Sequence, residues 1–178
     1  HGTLAMSVLD ASGAERMRVR LSERSAADAA RGAFAGLADG EDLPVQQQAV
    51  MLRRAIGAMR TRAGLTPLRW SAALDATAQE EVNQARPVAP WLERDPGKPT
   101  VDAAAAAGSS VKVFKLHGGA PGEIAHLLGA SPNHLHALTR PVDTSAGLGV
   151  AAVPRDAGRT SLAVVLLVVA DAPGALEL

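Results

Sequence analysis

Apolar and polar positions alternate at the start of the chain, with Leu4, Met6 and Val8 on one side, a turn through Asp10-Ala-Ser-Gly13, and then Met17, Val19 and Leu21. Period two on both flanks of a turn predicts a β-hairpin. Arg16, Arg18 and Arg20 share the other face of its second strand, a pattern that keeps an edge strand soluble. Ser25-Ala-Ala-Asp28 has the form of a capping box for a short Ala-rich helix ending near Gly40. The period then becomes helical. From Val45 to Arg62, the residues Ala49, Leu52, Ile56, Met59 and Ala63 recur on one face, and Gly64 stands where a left-handed cap is expected. Ser71 is placed to cap a further helix whose face is Leu74, Ala78, Val82 and Ala85, stopped by Pro87. The connection between these helices carries Leu65, Leu68 and Trp70, and Trp70 is expected to be largely buried.

The stretch from Arg86 to Gly119 is irregular, broken by Pro87, Pro90, Pro96 and Pro99, with a helical patch expected at Asp102 to Ala107 and a strand at Val111 to Leu116. Pro121 and Pro132 each suit the first position of a short helix, the two ending at Leu128 and Leu138. Gly147 to Val153 and Ser161 to Ala170 read as strands that pair as a hairpin across the turn-rich residues from Pro154 to Arg159. Helices and antiparallel strands in this order make the fold class α+β.

The 178 residues are one domain's worth of chain, and no internal repeat is visible. Eighteen basic residues balance 18 acidic ones, so the chain lacks the field of a phosphate-backbone binder, and nucleic acid is excluded as the expected partner. Aromatic residues are only 2%, so the core must be filled by Ala, Leu and Val, and stacking platforms for bases or sugars are scarce. The absence of cysteine removes disulfides, zinc-thiolate sites and thiol catalysis together. The longest apolar run, Leu162 to Ala170, is far short of the roughly 20 residues needed to span a bilayer, so no transmembrane segment is expected. The opening His-Gly-Thr, without an initiator Met, predicts a processed or excised segment of a larger chain.

Two distant segments carry a family resemblance. The run from Leu52 to Gln79, with Gly64-Leu-Thr-Pro-Leu-Arg-Trp70 at its centre, resembles the first helix, linker and second helix of the CAP superfamily, the cysteine-rich secretory, antigen 5 and pathogenesis-related proteins. Ser131-Pro-Asn-His-Leu-His-Ala-Leu138, followed by Gly147-Leu-Gly-Val-Ala151, resembles the bacterial signature Ser-Pro-Gly-His-Arg-x-x-Leu and Gly-Val-Gly-x-Ala. The resemblance spans about Val45 to Ala170 and implies an α-β-α sandwich with a central antiparallel sheet. It divides the chain into an N-terminal hairpin and short-helix extension, residues 1–40, and a CAP-like domain, residues 41–178. Family members are mostly secreted or surface domains whose cleft often carries two His and two acidic residues, sometimes with a divalent metal. His134 matches the signature His. Glu93 falls near the position of the second His, and His117 beside the place of an acidic residue. Glu123 lies on the later helix, and Leu135 stands where the signature has Arg. The short signature and the Ala/Arg-rich composition suggest a bacterial source.

His117, His126, His134 and His136 lie close together in the chain, and imidazole with carboxylate suits zinc. His134 and His136 are two apart, so on a helix they point to different sides and do not share a metal. A candidate set is His134 and His117, with Glu93 as an oxygen ligand. Glu123 and His126 have the spacing of a di-iron helix motif without its further carboxylates. Ser131, Ser109 and Ser110 lie outside any nucleophile elbow, and Ser131 is read as a helix cap. Gly118-Gly119 reads as a turn and not as a nucleotide loop. The expected function is a cofactor-free, non-catalytic binding or accessory domain of the secreted or cell-envelope compartment, its cleft formed by His134, Glu93, His117 and Glu123. Its partner would be an unknown ligand or an envelope protein. A metal-dependent hydrolase and a lipid or sterol carrier are the alternatives.

Overall fold

The computed structural model describes residues 4–9, 15–21, 43–98, 100, 102, 106, 110–141, 143–154 and 160–170. The elements are β1 (Leu4–Leu9), β2 (Glu15–Leu21), α1 (Val45–Arg62), β3 (Arg69–Trp70), α2 (Ala72–Asn83), α3 (Val88–Glu93), β4 (Ser110–Gly118), α4 (Pro121–Ala130), α5 (Pro132–Leu138), β5 (Asp143–Pro154) and β6 (Thr160–Ala170). β1 and β2 form a separate antiparallel pair in which Leu4, Met6 and Val8 stand opposite Leu21, Val19 and Met17, the register expected from the alternation. The helix expected between residues 25 and 40 lies outside the described residues, as does most of the 102–107 patch, of which Asp102 and Ala106 are helical.

The main sheet has the order β3-β5-β6-β4. β4, β6 and β5 pair antiparallel, as expected, but Arg69 and Trp70 add a parallel edge opposite Ser145 and Ala146, so the sheet is mixed. Strand alternation then divides the interior into two cores. On one face Leu116, Leu148, Val164, Leu166 and Val168 pack against Leu52, Ile56 and Met59 of α1 and Ile124 and Leu128 of α4. On the other, Val165, Leu167 and Val169 pack against Leu74, Ala78 and Val82 of α2 and Trp91 of α3. β6 is buried over its whole length except at Thr160, which explains why it reads as an uninterrupted apolar run. The result is the α-β-α sandwich the resemblance implied.

Local signals act where they were expected. Gly64 has φ +75°, and Gly64 N–H donates to Thr61 O at 3.0 Å while Leu65 N–H donates to Arg60 O at 2.9 Å, a Schellman ending for α1. Ser71 and Ser131 accept from the backbone N–H of Leu74 and His134, so both are helix caps. Trp70 packs partly buried against the core of α1 and α4, with the Arg53 guanidinium 5.1 Å from its ring centroid. The buried tryptophan is Trp91, 2% exposed, on a short helix within the stretch expected to be irregular.

The tightest packing lies between α2 and β5. A Cβ built on Gly147 would fall within 3.0 Å of the Leu74 backbone, and one on Gly149 within 3.0 Å of the Ala78 and Gln79 backbones. The helix also closes the free margin of β5. Ser71 N–H donates to Ala146 O (2.9 Å), Asp75 Oδ1 accepts from Leu148 N–H (2.9 Å), and the Gln79 amide both accepts from Val150 N–H and donates to Val150 O, each at 3.2 Å. Side chains thus supply the partners that a further strand would have supplied. Gly147→Ala and Gly149→Ala are each expected to lower stability by about 1–3 kcal/mol or more through forced separation of helix and strand. Gly57→Ala, inside α1 with nothing within 4 Å of the added carbon, is expected instead to raise it by about 0.5–1 kcal/mol. Urea denaturation of the three variants checks the opposite signs.

Candidate functional site

His134 lies in the first turn of α5, a position fixed by the Ser131 cap and by Pro132 at the start of the helix. Its Nδ1–H donates to Leu127 O at 3.0 Å, and the ring stands edge-on to Phe114 with centroids 5.3 Å apart. A neutral ring held this way presents Nε2 as an acceptor at a half-buried position. Leu127 beside it is 38% exposed. His126 and His136 are both exposed.

His117 is elsewhere. Residues Phe114 and Leu116 of β4 face the α1 and α4 core, so Val113, Lys115 and His117 face the α2 and α3 side. There His117 Nε2 lies 2.7 Å from Ser161 Oγ, and Ser161 donates to Val153 O at 3.4 Å. The sheet therefore stands between His117 and His134, and the two imidazoles do not face a common cation. Glu93 ends α3, exposed. Glu123 opens α4, where its carboxylate accepts from Gly119 N–H and ties off the turn after β4. Among the described residues no group of three His, Asp or Glu side chains converges to hold a metal ion.

Two buried charges complete this region. Glu81 of α2 is fully buried, and its carboxylate meets Lys115 Nζ at 2.7 Å, Thr100 Oγ1 at 2.9 Å and Gly97 N–H at 2.9 Å. Lys115 also donates to Arg94 O at 3.1 Å and sits 5.2 Å from the Trp91 ring centroid, and the Trp91 indole N–H donates to Glu81 O at 3.1 Å. Burial by itself would push the Glu81 carboxyl up, but Lys115, Gly97 and Thr100 together outweigh it and hold the group below its usual range. On the opposite side, buried Arg60 donates to the carbonyls of Thr66 (2.9 Å), Leu138 (2.7 Å), Arg140 (3.3 Å) and Asp143 (2.9 Å). Burial lowers the pKa of its guanidinium and Asp143 opposes that shift. Neither charge was singled out in the sequence, although both were detectable there. Glu81 and Arg60 lie on the inward stripes of their helices, three residues beyond Ala78 and four beyond Ile56 respectively, and Lys115 occupies an inward position of its strand.

No protein-family model and no curated protein matches the sequence. Among solved structures, the fold is similar to an outer surface protein from Borrelia burgdorferi, with a TM-score of 0.55 and 15% identity over 72% of this chain and 97% of that one. It is also similar to a cysteine-rich secretory protein from Staphylococcus aureus, with a TM-score of 0.51 and 15% identity over 89% of this chain and 44% of that one. At such identities the likeness is one of fold, and it agrees with a CAP-like sandwich. No described helix is long and apolar enough to cross a membrane.

The Glu81 cluster has a pH consequence. A carboxyl whose folded pKa is depressed contributes stability above its ordinary range and loses it as pH falls through the folded value. Stability is expected to decline into acid for the native chain and to fall less steeply for Glu81→Gln. Lys115→Met, which strands the carboxylate, is expected to cost about 3–5 kcal/mol at pH 7 and less in acid, as followed by urea midpoints across pH.

Proposed function

We propose that this chain is a ligand- or partner-binding accessory domain of a secreted or cell-envelope protein, and not a metal-dependent hydrolase. The observation that carries the reading is the division of the candidate cleft residues between the two faces of the sheet: His134 against Phe114 on one, His117 against Ser161 on the other. Metal-assisted hydrolysis needs a cation held by converging ligands with a position left open for water. Each of His134, His117 and Glu123 instead makes a hydrogen bond within the fold. The compartment is supported by the similar structures, one an outer surface protein and the other a secretory-type protein. The binding surface we assign is the rim around His134, where a ring of fixed orientation adjoins exposed Leu127.

Protein purified without a nickel column is expected to carry zinc well below one equivalent, and its peptidase and esterase rates are expected to stay at background with and without added zinc. His134→Ala is expected to leave the fold intact by circular dichroism. One equivalent of zinc, lost together with a hydrolytic activity in His134→Ala, would establish the metallohydrolase instead.

A further inference from the structure

A recess of about 510 Å³ opens on the α2 and α3 side of the sheet, away from His134. Its walls are apolar, formed by Pro87, Val88, Val153 and Pro154, and its polar groups are Arg86, His117 and Ser161. The volume is that of a small-molecule site. Arg86 brings a positive charge to the recess, and among the described lining residues there is no carboxylate. Arg86 is exposed, and its Nη2 donates to Ala152 O at 2.9 Å, which anchors the guanidinium at the strand end while leaving most of its donors unused by that bond. Among the described residues Arg86 has no ion-pair partner. Ser161 is buried and ties the His117 ring to the Val153 carbonyl, so the ring is held in place before any ligand arrives.

A fixed cation on one side, with proline and valine on the other, matches a molecule that is anionic at one end and aliphatic at the other. We propose that this recess binds short-chain aliphatic carboxylates, the carboxylate at Arg86 and the chain against Pro87, Val88 and Val153. This is a second site, and it stands whether or not the His134 rim binds a partner. Arg86 offers a charge-assisted pair to the carboxylate, and the apolar wall distinguishes an acyl chain from a bare inorganic anion.

The test is an amide-resolved NMR titration of the whole chain with butyrate, n-butanol and inorganic phosphate. Butyrate is expected to give saturable shifts centred on Val88, His117 and Val153, with butanol and phosphate each about tenfold weaker or more because each lacks one half of the match. Arg86→Gln is expected to weaken butyrate by about tenfold or more at an unchanged urea midpoint. If that substitution lowers the midpoint, Val88→Glu, which sets a carboxylate against the ligand's own, serves in its place and should abolish saturation. Butyrate shifts that do not saturate, butanol or phosphate binding as tightly as butyrate, or affinity unchanged in a folded variant would each overturn the proposal.

Discussion

The close seating of α2 on β5 is the constraint on which the rest of the fold depends. Four helical residues advance about 6 Å and two strand residues about 6.6 Å, so a helix and a strand laid nearly side by side keep step over a short distance. Leu74 and Ala78 therefore meet Gly147 and Gly149, and Asp75 and Gln79 reach Leu148 and Val150. Only glycine allows the approach, and only the approach lets such short side chains satisfy the strand's outer hydrogen bonds. The Gly-x-Gly of the strand and the Asp and Gln of the helix are thus two halves of one device. It ends the sheet without leaving an exposed edge.

Two buried charges hold what the sheet and helices leave loose. Arg60 gathers carbonyls from the turn after α1, the end of α5 and the start of β5, and so joins three chain segments. Glu81 does the same for the proline-broken stretch, drawing Gly97, Thr100 and Lys115 to α2. A buried ion pair adds little over an apolar pair of equal volume, but removing either partner strands the other in low dielectric. Their effect is to specify which loop conformation the domain adopts. With aromatic residues so scarce, polar staples take over part of the ordering that large rings supply elsewhere.

The same sheet separates the residues that invite a catalytic reading. His117 and His134 are close in sequence, yet one extends from a strand to the α2 side and the other lies in the first turn of a helix on the α1 side. Each is then drawn into a local hydrogen bond, one with the Ser161 hydroxyl and the other with the Leu127 carbonyl. One face of the sheet carries a half-buried imidazole beside an exposed leucine, and the other a recess with apolar walls and Arg86 at its edge.

Periodicity, caps and turn residues determined most of the elements by themselves, because they act within a few residues along the chain. The 18-residue helix that stops before Gly64, the Ser71 and Ser131 caps, the β5 and β6 hairpin and the pairing of the N-terminal strands all follow from such local rules. The Gly147 and Gly149 pair was visible as a motif, but its reason, a helix backbone lying against the strand, was not. Trp70 and Trp91 look alike as sequence. Which one is fully covered is decided by packing. The candidate site was the least legible part for the same reason: the family resemblance assigned cleft positions to His117, His134, Glu93 and Glu123. Only the tertiary structure settled which face of the sheet each side chain occupies, since a strand reverses its side at every residue and a helix turns its own by about 100° per residue.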